Sequence, residues 1–282
     1  MAYPIVASPY GLLPINLIGG QHFGGSTRMY PVPFAYGTNI FYGDFVTISR
    51  GQIARVGVTT GTTLNQTIGI FLGCSYTNPA TKQKLFSQYW FGGTLAGDCV
   101  AYVYDDPDAI FKTVAVSSGT TVASAAYGMI GTNQSLVDNP TGVLTTGNSL
   151  NGLLTPTTAG ATSTTTLPVR IVGIVPDTVV NLGTATYSSI TSATLTVSAL
   201  PYALPVGTDV SVLTTNGQMA PTGSWVITAA AAGATSVVLN QAPTITINSG
   251  NYSATVVFNQ YPEVLVKMNQ GLHGYYSATG GS

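Results

Sequence analysis

Three short apolar runs are the first legible elements of the chain. Val46 and Ile48 alternate with Phe45, Thr47 and Ser49, Thr67-Ile-Gly-Ile-Phe-Leu-Gly-Cys74 is nearly continuous, and Val100, Tyr102 and Tyr104 alternate with Ala101 and Val103. Period-2 alternation sends successive side chains to opposite faces of a pleated strand, so the stretch from Phe41 to Tyr104 predicts a small β core. Gly43-Asp44 and Gly97-Asp98 introduce two of these runs. Such a step reads as a turn feeding a strand, because glycine takes positive φ cheaply and aspartate bonds the backbone just ahead of it.

Residues 1–37 show neither the strand nor the helix period and carry Pro4, Pro9, Pro14, Pro31 and Pro33 with two glycine pairs. That density predicts an extended arm and excludes a central strand. Ala2 to Ile18 is apolar but lacks a basic start and is broken by proline, so it does not read as a signal peptide. The arm's apolar side chains give it something to bury, and Tyr3, Ile5, Leu12, Leu17, Ile18, Phe23, Tyr30, Phe34 and Tyr36 are the candidate contacts with a partner surface. Beyond the core, Asp105-Asp-Pro-Asp108 reads as a turn, since it lacks the alternating oxygen ligands and distal glutamate of an EF-hand. Val122 to Met129 could form a short helix, residues 133–166 read as a long irregular loop, and Leu167 to Pro176 is the strongest strand.

A weak internal repeat follows. Ala193-Thr-Leu-Thr-Val197 recurs as Ala234-Thr-Ser-Val-Val238, each followed by a proline-bearing turn and a second alternating run. Two related hairpins suggest a sandwich-like unit of their own. The reading is therefore all-β: an arm (1–37), a barrel or sandwich core (38–185), an inserted β domain (186–258), and a C-terminal return to the core (259–282), with a strand at Val264 to Met268.

Charge changes this picture. The 282 residues hold eight Lys and Arg and nine Asp and Glu, 6% of the chain, with a mean hydropathy of +0.32. Ordinary soluble domains carry about 25% charged residues. So little charge leaves weak protection against self-association and points to a surface covered by copies of the chain or by a larger partner. Eight scattered cations make no stripe for a phosphate backbone, which removes nucleic acid from the partners expected. No run of about eighteen apolar residues is present to predict a membrane span. Cys74 and Cys99, the only cysteines, read as small buried hydrophobes or as a pair, if their strands are neighbours.

Enzymatic chemistry finds little support. No Gly-x-Ser-x-Gly, Walker or Gly-x-Gly-x-x-Gly motif occurs, Glu263 is the sole glutamate, and His22 and His273 lie between glycine-rich neighbours with no acid beside them in sequence. The expectation is a non-enzyme with no catalytic, cofactor-binding or metal-ligating residues. The sixteen tyrosines fit core and assembly contacts, with sugar stacking as the alternative.

Pro9 to Gly20, Ile40-Phe-Tyr-Gly-Asp44, Ile70 to Pro79 and Gly271-Leu-His-Gly-Tyr-Tyr276 resemble a family of tailed-phage virion proteins from marine and cyanobacterial viruses. The Tyr-Gly-Asp-Phe-Val and Ile-Gly-Ile-Phe-Leu-Gly patterns are similar more broadly to capsid decoration, or cement, proteins. The likeness covers the first 180 residues and the last 20 or so. It implies a structural virion protein made in the host cytoplasm and placed on the capsid surface. Its partners would be the major capsid protein, engaged by the arm, and copies of itself, with a trimer favoured over a dimer. The inserted domain would be a variable module open to host glycans. The alternatives are a tail or fibre component and a carbohydrate-binding, adhesin-like β module.

Overall fold

The computed structural model describes residues 6–22, 24–25, 27–57, 67–125, 129–154, 167–191, 193–200, 204, 208–214, 225–229, 233–239, 254–269 and 273. The protein is almost entirely β. Strand β1 (Leu13–Leu17) comes first, followed by β2 (Arg28–Pro31), β3 (Phe45–Ser49), β4 (Gln52–Arg55), β5 (Thr67–Thr77), β6 (Lys84–Ser87) and β7 (Val100–Tyr104). The last six form one sheet in the order β2-β7-β5-β3-β4, with β6 added to β5. The three apolar runs at the centre of the sequence are thus the neighbours β3, β5 and β7. Strands β2 and β4 approach each other, and the Arg55 N–H donates to the Tyr36 hydroxyl at 2.9 Å across the gap. The sheet nearly closes around a core of Ile40, Val46, Ile53, Phe71, Trp90 and Val103.

Strands β8 (Ala109–Ser118), β9 (Thr121–Val122), β10 (Asn133–Gln134), β11 (Leu136–Val137), β12 (Gly152–Leu154) and β13 (Val169–Ile174) begin a second sheet. A 3-10 turn at Pro176–Thr178 then leads into β14 (Val180–Thr191), β15 (Thr194–Val197), β16 (Asp209–Thr214), β17 (Trp225–Ala229), β18 (Ser236–Leu239) and β19 (Ala254–Gln260). The chain comes back as β20 (Glu263–Met268), which lies between β13 and β8 in the order β10-β13-β20-β8-β12-β11. This strand is central in its sheet, paired on both sides. A second core, with Leu12, Phe111, Leu136, Leu153, Ile171, Val264 and Val266, takes in Phe45, Ile70 and Tyr104 from the first sheet and so binds the two sheets together.

The inserted unit closes into a six-stranded barrel, β14-β15-β18-β17-β16-β19, rather than a sandwich. Strand β14 runs through Gly183, where its register shifts, and pairs first with β19 and then with β15. One long strand therefore serves both halves, and the unit extends from Val180 to Gln260, which are themselves register partners. The repeated segments are β15 and β18, which lie side by side with Leu195 facing Val237. Moving three strands along the chain (β14 to β17, β15 to β18, β16 to β19) reproduces every pairing in the barrel. Its core, including Leu195, Trp225, Ile227, Val237, Val256 and Phe258, is separate from the other two.

Other sequence expectations need correction. The described part of residues 1–37 is not a separate arm: β1 pairs with β8 and β2 with β7, while Leu12 is buried in the second core. Pro14 and Pro31 are tolerated because each strand pairs on one side only along its sheet. The expected helix at 122–129 gives way to β9 and a bridge from Ala125 to Tyr261, and 126–128 lie outside the described residues. The expected loop 133–166 contains β10, β11 and β12, with 155–166 outside the described residues.

Candidate docking surface

A buried ionic cluster fixes the frame. Asp44 sits at the turn entering β3 and is fully buried. Its Oδ2 accepts the Phe41 N–H and the Arg55 Nε–H, each at 2.9 Å, and its Oδ1 accepts the Ser149 hydroxyl at 2.6 Å and the Asn151 amide at 2.9 Å. Arg55 reaches on to Asp138 with its two remaining nitrogens. Burial pushes the Asp44 carboxyl up, and Arg55, Ser149 and the Phe41 N–H oppose that rise. Four donors converging on one carboxylate leave it no unmet acceptor capacity of consequence, which is how a buried charge is tolerated. The cluster joins β3, β4 and the chain around 138–151. The turn reading of Gly43-Asp44 holds for the backbone entering β3, but it did not foresee the carboxylate's bonds to Phe41 or to its distant partners.

A second knot holds the N-terminal segment. The Tyr10 hydroxyl and Lys112 Nζ both meet Glu263 Oε1, the lysine at 3.1 Å, and Lys112 lies 5.7 Å from the centre of the Tyr10 ring. Burial and the adjacent carboxylate push the Tyr10 hydroxyl far up.

On this frame two loops display an apolar surface. Tyr36 N–H donates to Pro33 O at 3.1 Å, closing a turn that carries Phe34 at its tip and Ala35 at φ 54°. The facing loop is stitched to it: Trp90 Nε1–H and Gly93 N–H both donate to Tyr36 O, at 3.1 and 2.8 Å, and Gly92 N–H donates to Asn39 Oδ1 at 2.7 Å. Gly92 is obligatory here, since a Cβ would stand 2.4 Å from Gly37 O. From these loops Phe34, Phe91 and Leu95 project with 64%, 52% and 60% of their surface exposed. Residues 33–40 and 90–97 contain no charge. Three large apolar groups on a rigid, uncharged mount fit a protein contact better than they fit water.

Of the nine candidate contact residues, only Phe34 belongs to this surface. Ile18 is also exposed, Leu12 is buried, and Leu17 packs partly buried against the second core. Tyr30 donates to Asp105 Oδ2 at 3.0 Å, and Tyr36 accepts from Arg55. Tyr3, Ile5 and Phe23 lie outside the described residues. Phe91 and Leu95 escaped sequence reasoning because an isolated apolar residue among glycines carries no period that reveals exposure. Cys74 and Cys99 are both buried free thiols.

His273, which has no acid beside it in sequence, bridges to Thr67 and lies against Asp105. Burial holds its imidazole below the usual value, against the opposing pull of Asp105 and Asp106. A base depressed in the folded state binds its proton more readily when unfolded. Its contribution is therefore whole above the ordinary imidazole value and falls away as pH drops toward the depressed one. Urea midpoints of the wild type should fall between about pH 7 and pH 5, and His273→Gln should flatten that slope. A pH-independent wild-type midpoint in this window would contradict the assignment.

No family model matches the chain, and no curated protein and no solved structure matches it.

Proposed function

We propose that this chain is a structural protein of a tailed-phage virion, a decoration protein that docks on the outside of the capsid shell and ties neighbouring shell subunits together. The observation that carries this reading is the rigid, charge-free display of Phe34, Phe91 and Leu95. A chain with 6% charged residues and such a surface suits permanent burial against other proteins. The motif resemblance of the first 180 residues points the same way. In this reading the contact with the major capsid protein is made by the two stitched loops, with Ile18 as a further exposed apolar contact. The greater part of the described N-terminal segment serves the body of the protein.

Fully burying each of these side chains contributes about 1.5–3 kcal/mol, so a charge placed among them should abolish attachment. The double variant Phe34→Asp, Leu95→Asp is expected to melt like the wild type, because both positions are exposed, and to fail to co-sediment with empty heads. Wild-type attachment should change little with ionic strength, since no charge is present to be screened. Full decoration of heads by the double variant would end this assignment of the surface. A copy number in the virion near that of the major capsid protein is expected, whereas a fibre component would be present in few copies.

A further inference from the structure

Strand β5 is longer than its neighbours on one side. Its first part pairs with β3 through Thr67, Gly69 and Ile70, and its last part with β6 from Cys74 to Thr77. Between the ends of β3 and β6 lies an open hollow of about 530 Å³, lined by Tyr42, Leu72, Gly73, Cys74, Phe86, Ser87, Gln88 and Tyr102. Gly73 forms its floor: at φ 139°, with Ser87 O 2.9 Å from where a Cβ would stand, the position admits no side chain. Register places Tyr102 opposite Gly73 and Phe86 opposite Ser75, so all four share one face of the sheet. The Tyr102 hydroxyl donates to Ser75 Oγ at 3.1 Å, and Gln88 Nε2 donates to Asn148 Oδ1 at 2.8 Å, which holds the walls.

Phe86 stands on the rim and is 78% exposed, the most exposed large apolar side chain among the described residues. A hollow and a projecting ring thus lie next to each other on the same face. That is the requirement of a twofold contact, in which each copy offers the same knob and the same hole. We infer that this face pairs two copies of the chain, the Phe86 ring of each filling the glycine-floored hollow of the other and stacking on the partner's aromatic walls. The neutrality of the hollow favours a second copy as occupant. None of its eight lining residues is charged, so a phenyl ring enters without stripping water from an ion. Tyr42, Tyr102 and the opposing Phe86 offer the offset and edge-on faces that aromatic rings prefer. The ring that would enter is already mounted at the right place. This inference rests on the self-association part of the proposed function, and it replaces the favoured trimer with a pair at this face.

Sedimentation equilibrium of the full chain tests it. The wild type should dimerise, Phe86→Ala should raise the dimer dissociation constant by about tenfold or more, Phe86→Glu should give monomer, and Phe86→Trp should retain the pair. Met29→Gln, at another exposed apolar position, should leave association unchanged. Because Phe86 is exposed, every variant should keep the wild-type circular dichroism, and the wild-type melting when both are measured below the dimer dissociation constant. A monomeric wild type, or a Phe86→Glu variant that associates like the wild type, would overturn the pairing. Failure of head attachment in the Phe34 and Leu95 double variant bears only on the shell contact, so the two readings fail separately.

Discussion

Excising residues 181–259 and joining Val180 to Gln260 through a short glycine link should leave a protein that still unfolds in one cooperative step, and the excised segment should fold by itself. The barrel takes all six of its strands from this segment and has its own core from Ala185 to Phe258. The two cut points are register partners on adjacent strands, so a link of a few residues spans them without strain. The choice of boundary decides the outcome. Cutting at 186 and 258, where the change in sequence texture suggests, severs β14 and β19 and leaves Gly183–Ala185 without the β19 residues they pair with. Exposed strand edges of that kind promote aggregation. Urea unfolding followed by circular dichroism distinguishes the two deletions. If the 181–259 deletion lost its cooperative transition, the independence of the barrel would be refuted.

Asp44→Ala should destabilise the chain by about 3–5 kcal/mol, because it removes one side of a buried ion pair and strands the other. Arg55 lies almost wholly inside, and Asp138 would be its only remaining carboxylate partner in the cluster. Ser149, Asn151 and the Phe41 N–H would lose their shared acceptor at the same time. Against a total stability of about 5–15 kcal/mol for a folded domain, that loss is severe. The double variant Asp44→Ala, Arg55→Ala should cost less than the sum of the two single changes, since neither member of the buried pair is then left facing an empty position. Additive costs in chemical denaturation would mean that the two side chains do not act as a pair.

The sequence made some of this legible and hid the rest for physical reasons. Strands β3, β5, β7, β13 and β20 were readable because alternation and apolar runs are local signals, and β15 and β18 because they repeat. Strand order was not readable. Nothing near Val264 states that it will lie between β13 and β8, nor that Leu13 will face Lys112. The prolines of the N-terminal segment excluded central strands, as Pro14 and Pro31 bear out, yet they were silent about edge strands. The Asp44 cluster escaped notice because its partners at 55, 138, 149 and 151 are brought together only by folding. The apolar surface was hidden among glycines, where Phe91 and Leu95 look no different from core residues.

The three-strand step that maps the barrel onto itself, a twofold relation between its halves, has a consequence for how copies of this chain behave at high concentration. The half from β14 to β16 holds four open edges, one each on β14 and β15 and both sides of β16, that are satisfied only by β17, β18 and β19 of the other half. Its complement need not come from the same molecule, because the opposite half of any neighbouring copy offers the same edges. In dilute solution the covalent connection wins, since it keeps the local concentration of the correct half far above that of any other. Where copies are packed side by side that advantage shrinks, and exchange of halves between neighbours becomes a route by which separate molecules are laced into one.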